Sequence, residues 1–74
     1  MSKREDNIKL IMKAYEDYLN ALKEYEDEKN NTDFSRSYKK YMEASKKYEK
    51  ISKGFCNEII REAIHRVRNS RNGG

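Results

Sequence analysis

The sequence predicts an all-α protein: a long antiparallel helical hairpin of coiled-coil type, followed by a C-terminal amphipathic basic helix. The 74-residue chain has no proline and is 41% charged, which is typical of solvated helices. Two twelve-residue stretches, YEDYLNALKEYE and YKKYMEASKKYE, share six identical positions and contain all six tyrosines. In both stretches the tyrosines recur at spacings of three and seven, the periodicity of one helix face.

The first helix is expected to span about residues 3–29. It begins at an S-x-x-E capping box, in which the Ser2 hydroxyl and the Glu5 carboxylate each satisfy a free backbone N–H. Six residues then follow one another at spacings of three and four: Ile8, Ile11, Tyr15, Tyr18, Leu22 and Tyr25. This is an a/d heptad stripe, so one face of the helix is expected to pack against a partner helix.

A turn is expected at residues 30–33, where Thr32 or Asp33 can cap a second helix over about 33–53. An unbroken helix advances about 100° per residue and would place the second stretch about 140° away from the first. A reversal instead lets the two stretches face each other. Facing residues then pair Tyr15 with Tyr48 and Tyr25 with Tyr38. The second stripe comprises Phe34, Tyr38, Tyr41, Ser45, Tyr48, Ser52 and Phe55.

Residues 55–70 carry apolar side chains at i, i+3 and i+4 and predict a third helix. Gly54 favours a break between the second and third helices, after which the third helix folds back and closes a three-helix bundle. It would pack on the side of Met12, Leu19 and Met42 or on the side of Ala14, Ala21 and Ala44. In the alternative, the helix continues through Gly54 at a cost near ~1 kcal/mol, and a second subunit covers its end in a helical-hairpin dimer. Either way we expect one helical domain over 1–71 and a flexible tail over 72–74.

The inventory of reactive side chains argues against an enzyme. The single histidine, His65, and the single cysteine, Cys56, would lie about 13 Å apart along one helix, too far for a nucleophile and its base. No clustering of ligands suggests a metal, and we expect neither a cofactor nor a small-molecule substrate. The charged N-terminus lacks the apolar run of a signal peptide, and no aliphatic run could span a bilayer. We therefore predict a cytoplasmic protein without a membrane partner.

Charge is unevenly distributed along the chain. Residues 1–31 carry six basic and eight acidic side chains, residues 32–52 six and three, and residues 53–74 five and two. The basic excess thus lies in the second half. Arginine and outward lysines are the side chains that contact phosphate or carboxylate. The candidate contacts for nucleic acid or for an acidic partner are Arg61, Arg66, Arg68, Arg71, Lys39, Lys46 and Lys50.

A thin core in a small domain favours self-association, so we expect a homodimer. The candidate residues for self-association are Ile59, Ile60, Ile64 and Val67. The expected function is that of a small non-enzymatic helical regulatory protein that acts through protein–protein contacts. The alternative is a small nucleic-acid-binding regulator that uses the basic C-terminal helix, and the sequence leaves open whether the partner is a protein or a nucleic acid.

Overall fold

A computed structural model describes residues 2–29 and 35–72 of the chain. The helices in these ranges are α1 (Lys3–Glu28), α2 (Ser35–Ser52) and α3 (Asn57–Asn72), and no strand occurs in them. The prediction of an all-α protein is confirmed.

Several predicted features lie outside the described residues. They are the turn at residues 30–33, with the caps Thr32 and Asp33, and the first residue of the second stripe, Phe34. Gly73 and Gly74 of the predicted tail also lie outside, whereas Asn72 of that tail is the last residue of α3.

The start of α1 forms half of the predicted capping box. Ser2 has extended backbone angles, and its hydroxyl oxygen accepts a hydrogen bond of 3.1 Å from the Glu5 backbone N–H. The Glu5 carboxylate instead accepts hydrogen bonds from Arg66 of α3. Glu5 therefore links the first turn of α1 to another helix, while its negative charge still favours the positive end of the helix dipole.

Tyrosine rings hold α1 against α2. The ring centroids of Tyr15 and Tyr48 lie 5.4 Å apart, and those of Tyr25 and Tyr38 lie 5.5 Å apart. The later residue of α1 thus contacts the earlier residue of α2, so the two helices run in opposite directions. These are the two tyrosine pairs that the aligned stretches predict.

The remaining rings join these pairs into a continuous stack. The Tyr18 ring lies 5.7 Å from that of Tyr41 and 5.8 Å from that of Tyr48, on either side of the small residue Ser45 in the sequence of α2. Tyr41 also stacks on Tyr25, with ring centroids 5.6 Å apart. Aromatic pairs of this kind each contribute about 0.5–1.5 kcal/mol beyond the burial of their area. Tyrosine suits this seam because its hydroxyl can reach water or a hydrogen-bond partner at the edge of the seam while its ring stays between the helices.

The best-buried part of the molecule lies where the three helices meet, and we call it the junction. Its centre comprises Ile8 and Ile11 of α1 and Ala63 of α3, none of which is exposed to solvent. Partly buried side chains from all three helices and from the α2–α3 turn surround this centre: Met12, Tyr48, Ile51, Phe55, Ile59 and Ile60. Contact between α2 and α3 is otherwise sparse, so α1 is the helix on which both others rest.

The chain breaks between α2 and α3, as the first of the two alternatives proposed. The Ser52 hydroxyl donates to the Tyr48 carbonyl, and the backbone N–H groups of Gly54 and Phe55 bond to carbonyls three residues earlier. These tight turns end α2. The third helix was predicted to begin at residue 55 but begins at Asn57, because Phe55 lies in the turn and packs against the junction.

α3 lies along α1 in the same direction. Near its start, Glu58 is 3.6 Å from Arg4, and near its end Arg71 donates a hydrogen bond of 2.6 Å to Asn20. Met12 packs against the same cluster as Ala63, so α3 occupies the Met12 side of α1 rather than the Ala14 side.

Substituting Gly54 tests what sets the break. Gly54 does not adopt a left-handed backbone conformation, and an added Cβ would lie 3.6 Å from the Ile51 carbonyl oxygen, an ordinary contact. We predict that Gly54→Ala raises the free energy of unfolding by about 0.4–1 kcal/mol, because alanine restricts the unfolded chain. Urea unfolding followed by circular dichroism measures this change. A loss of stability would show instead that the break depends on glycine itself.

Candidate interaction surface

Arg66 is bound within the protein. Its guanidinium donates two hydrogen bonds to the Glu5 carboxylate, one of them 3.1 Å long, and its Nε donates one of 2.8 Å to Glu62. The side chains of all three residues are about one-third exposed. A guanidinium that binds two carboxylates has few donors left for a phosphate. In this structure, Arg66 serves to attach α3 to the first turn of α1.

The ion pairs shift the acidity of the groups that form them. Hydrogen bonds from Arg66 lower the pKa of the Glu5 carboxyl and that of the Glu62 carboxyl below the usual range. The same bonds raise the pKa of the Arg66 guanidinium. Both carboxyl groups are thus charged throughout the neutral range, and the link between α1 and α3 weakens only in acid.

The other three candidate arginines lie in different surroundings. Arg71 donates to the amide oxygen of Asn20 on α1. Arg61 lines a shallow groove together with Arg4, Glu58, Glu62 and His65. Arg68 is exposed. Since acidic groups accompany Arg61, and Arg66 and Arg71 bind within the chain, α3 does not present four free arginines on one surface.

The candidate lysines of α2 are presented differently. Lys39, Lys46 and Lys50 are exposed, and none forms an ion pair with another residue in the described ranges. At 100° per residue, they lie within about 40° of one another around the helix. We call these three residues the lysine stripe. It lies on the side of α2 opposite the tyrosine seam.

Two other lysines next to the stripe in sequence are paired with acids. Lys40 Nζ lies 3.6 Å from a carboxylate oxygen of Glu24 on α1, and Lys53 Nζ lies 3.6 Å from one of Glu49. These exposed pairs contribute little to stability, but they offset the charge of both lysines. The uncompensated positive charge of α2 is therefore carried by the lysine stripe together with Arg36 and Lys47, which are also exposed and form no ion pair within the described residues.

Most of the residues predicted to mediate self-association pack inside the chain. Val67 is only 1% exposed, and Ile59 and Ile60 pack against the junction. Ile64 is partly buried. α3 has the predicted apolar face, but α1 covers much of it. A surface for self-association has to be sought elsewhere.

A shallow groove with an exposed apolar side chain lies between α1 and α2, on the side away from α3. Leu10 is 49% exposed there and lines this groove with Ala14 of α1 and Ile51 of α2. Three charged residues, Lys13, Asp17 and Lys47, line the same groove. We call these six residues the α1/α2 groove. The heptad pattern gives Leu10 no role, and its position just outside the a/d stripe, next to Ile11, was the available signal.

The groups that could support chemistry are dispersed. No group of three or more His, Cys, Asp or Glu residues within 2–29 and 35–72 could hold a metal ion. Cys56 is exposed in the turn before α3, and a ring nitrogen of His65 lies 3.1 Å from the Asn69 amide nitrogen. A hydrogen bond with Tyr41 raises the pKa of the Tyr18 hydroxyl, and burial raises that of Tyr48, so both stay protonated at neutral pH.

Across the described helices, none is long and apolar enough to cross a bilayer.

Acid unfolding tests the role of Arg66. The Glu5 and Glu62 carboxyl groups have a lower pKa when folded than when unfolded, so the unfolded chain binds more protons as the pH falls below about 4.5. Their stabilising effect is complete above that pH and is lost as the pH falls through the lowered folded values. We predict that the thermal midpoint of Arg66→Gln falls less over this acid range than that of the native chain.

Arg68→Gln is the matched control, because it removes an exposed arginine from the same helix. Its midpoint should fall with pH as steeply as that of the native chain. Equal acid sensitivity in the native chain and in Arg66→Gln would contradict the assignment of Arg66 as the link between α1 and α3.

Comparisons with known proteins assign no family to this chain. The chain was compared with protein-family models, with curated proteins and with solved structures, and none of them matches it. The features that the helices present for an interaction are the lysine stripe and the α1/α2 groove.

Proposed function

We propose that this chain is a small non-enzymatic interaction protein, a coiled-coil-like helical hairpin with a basic third helix, that self-associates through the α1/α2 groove. The observation that carries the proposal is Leu10, an exposed leucine beside Ala14 and Ile51. Leu10, Ala14 and Ile51 together form a small apolar patch with charged residues around it, and apolar patches with polar rims are found at protein interfaces.

The charges around the groove favour a second copy of the same chain as the occupant. α1 contributes Asp17 and Lys13 to the groove and α2 contributes Lys47, so the acidic group of α1 has a basic counterpart on α2. A two-fold axis through the groove would place α1 of one copy against α2 of the other. Asp17 and Lys47 would then pair across the interface twice, since a symmetric interface contains each contact in duplicate.

The one small residue of the groove, Ala14, suits a close approach of helices. Ala14 projects little from α1, so the helix of a second copy can lie near the backbone. The same arrangement leaves α3 on the far side of α1, where its contacts at the junction persist. The proposed dimer thus forms without opening the folded chain.

Sedimentation equilibrium of the native chain and of Leu10→Gln tests this proposal. We predict that the native chain dimerises and that Leu10→Gln weakens the dimer at least about tenfold, because the buried leucine counts twice in a symmetric interface. Asp17→Lys should also weaken the dimer, and adding Lys47→Asp should restore it by exchanging the two charges.

Ile64→Gln is the control on α3, because Ile64 belongs to the surface that the sequence predicted for self-association. It should leave the dissociation constant of the dimer unchanged, with helicity monitored by circular dichroism. A native chain that stays monomeric at high concentration would refute self-association. Dissociation by Ile64→Gln but not by Leu10→Gln would move the interface to α3.

A further inference from the structure

We propose that the lysine stripe is a binding site for the phosphate backbone of double-stranded nucleic acid. Lys39, Lys46 and Lys50 lie on one side of α2, exposed and without ion pairs in the part of the chain that the structure describes. Their rise along the helix is about 10 Å from Lys39 to Lys46 and about 6 Å from Lys46 to Lys50. They form a nearly straight row of ammonium groups that can follow a polyanion.

A duplex fits this row better than an acidic protein does. Interfaces between proteins are depleted of lysine and enriched in aromatic side chains at their centres. The tyrosine rings of α2 stack on those of α1, so they lie in the seam rather than on the opposite side with the lysines. A duplex needs no apolar anchor, because it presents one negative charge per about 1.7 Å of its axis.

The same stacking disfavours single strands. Proteins that bind single-stranded nucleic acid combine positive charge with aromatic faces on which the bases stack. Here the rings of Tyr18, Tyr41 and Tyr48 already stack on one another. Binding is therefore expected to depend on phosphate contacts and to show little dependence on base sequence.

Acidic groups near the stripe affect how strongly the stripe binds phosphate. Glu43 is exposed and lies on the same side of α2, between Lys39 and Lys46 in the sequence. Glu49 lies close in the sequence as well, but Lys53 pairs with it. The stripe thus has three free positive charges, and among the described residues the nearest unpaired charges on the same side of α2 are those of Glu43 and Arg36. Removal of the Glu43 charge should strengthen the binding of phosphate, a change opposite in sign to removal of a lysine.

Fluorescence anisotropy of a short labelled DNA duplex of mixed sequence, titrated with the native chain over a range of salt concentrations, tests the proposal. Three phosphate contacts predict that log K falls with log salt with a slope near about −3. Lys46→Gln/Lys50→Gln should flatten that slope by about two units, and Glu43→Gln should raise the affinity. The unlabelled single strand should compete more weakly than the duplex.

The matched control is Lys40→Gln/Lys53→Gln, which removes the same charge from two lysines that are paired with acids. Its salt slope should stay close to that of the native chain. All these side chains are exposed, and circular dichroism verifies that each variant folds. Leu10→Gln should keep the salt slope of duplex binding per chain, because Leu10 is not part of the stripe. This variant therefore tests phosphate binding independently of self-association.

Three results would overturn the proposal. The absence of duplex binding at low salt would exclude a phosphate site on α2. If Lys40→Gln/Lys53→Gln flattened the salt slope as much as Lys46→Gln/Lys50→Gln, binding would depend on net charge alone and the stripe would not be a site. Stronger competition by polyglutamate than by the unlabelled duplex would assign the stripe to an acidic protein partner.

Discussion

The arrangement of the molecule depends on the junction around Ile8 and Ile11. A domain of this size buries only about 60% of the surface that its unfolded chain exposes, so it can form few fully buried contacts. Both isoleucines are completely buried, and side chains from α2, from the turn and from α3 converge on them. Because α2 and α3 otherwise touch little, this one region of α1 determines where both helices lie.

The junction also decides which charges remain available. Once Ala63 packs on Ile8 and Ile11, α3 runs along α1 and brings Arg66 to Glu5 and Arg71 to Asn20. These arginines then serve the fold. On α2 the tyrosines face α1, so the lysines at the intervening positions point outward. Exposed basic side chains without ion pairs are thus more numerous on α2 than on α3, where Arg68 is one, although the sequence shows an equal excess of positive charge on both segments.

The sequence predicts the helices and the pairing of α1 with α2 well, and it predicts the contacts of α3 poorly. Spacings of three and four residues are imposed by the helix itself, so they predicted the helices and the pairs Tyr15–Tyr48 and Tyr25–Tyr38. The partner of Arg66 is 61 residues away, and no spacing rule could identify Glu5. Val67 was assigned to self-association because its helix has an apolar face, but periodicity does not show which helix covers that face. The same limit applies to the α1/α2 groove, which is left uncovered because α3 packs on the other side of α1.

Hydrogen exchange of the backbone amides in Ile11→Val tests the claim that one junction holds both helices. The substitution removes a single methylene group from a fully buried side chain and should cost about 0.5–1.5 kcal/mol. If the junction is shared, the amides of α2 near Ile51 and those of α3 near Ala63 lose protection by the same free energy. Loss of protection in α3 alone, with α2 unchanged, would show that the tyrosine seam holds α2 independently and would contradict a shared junction.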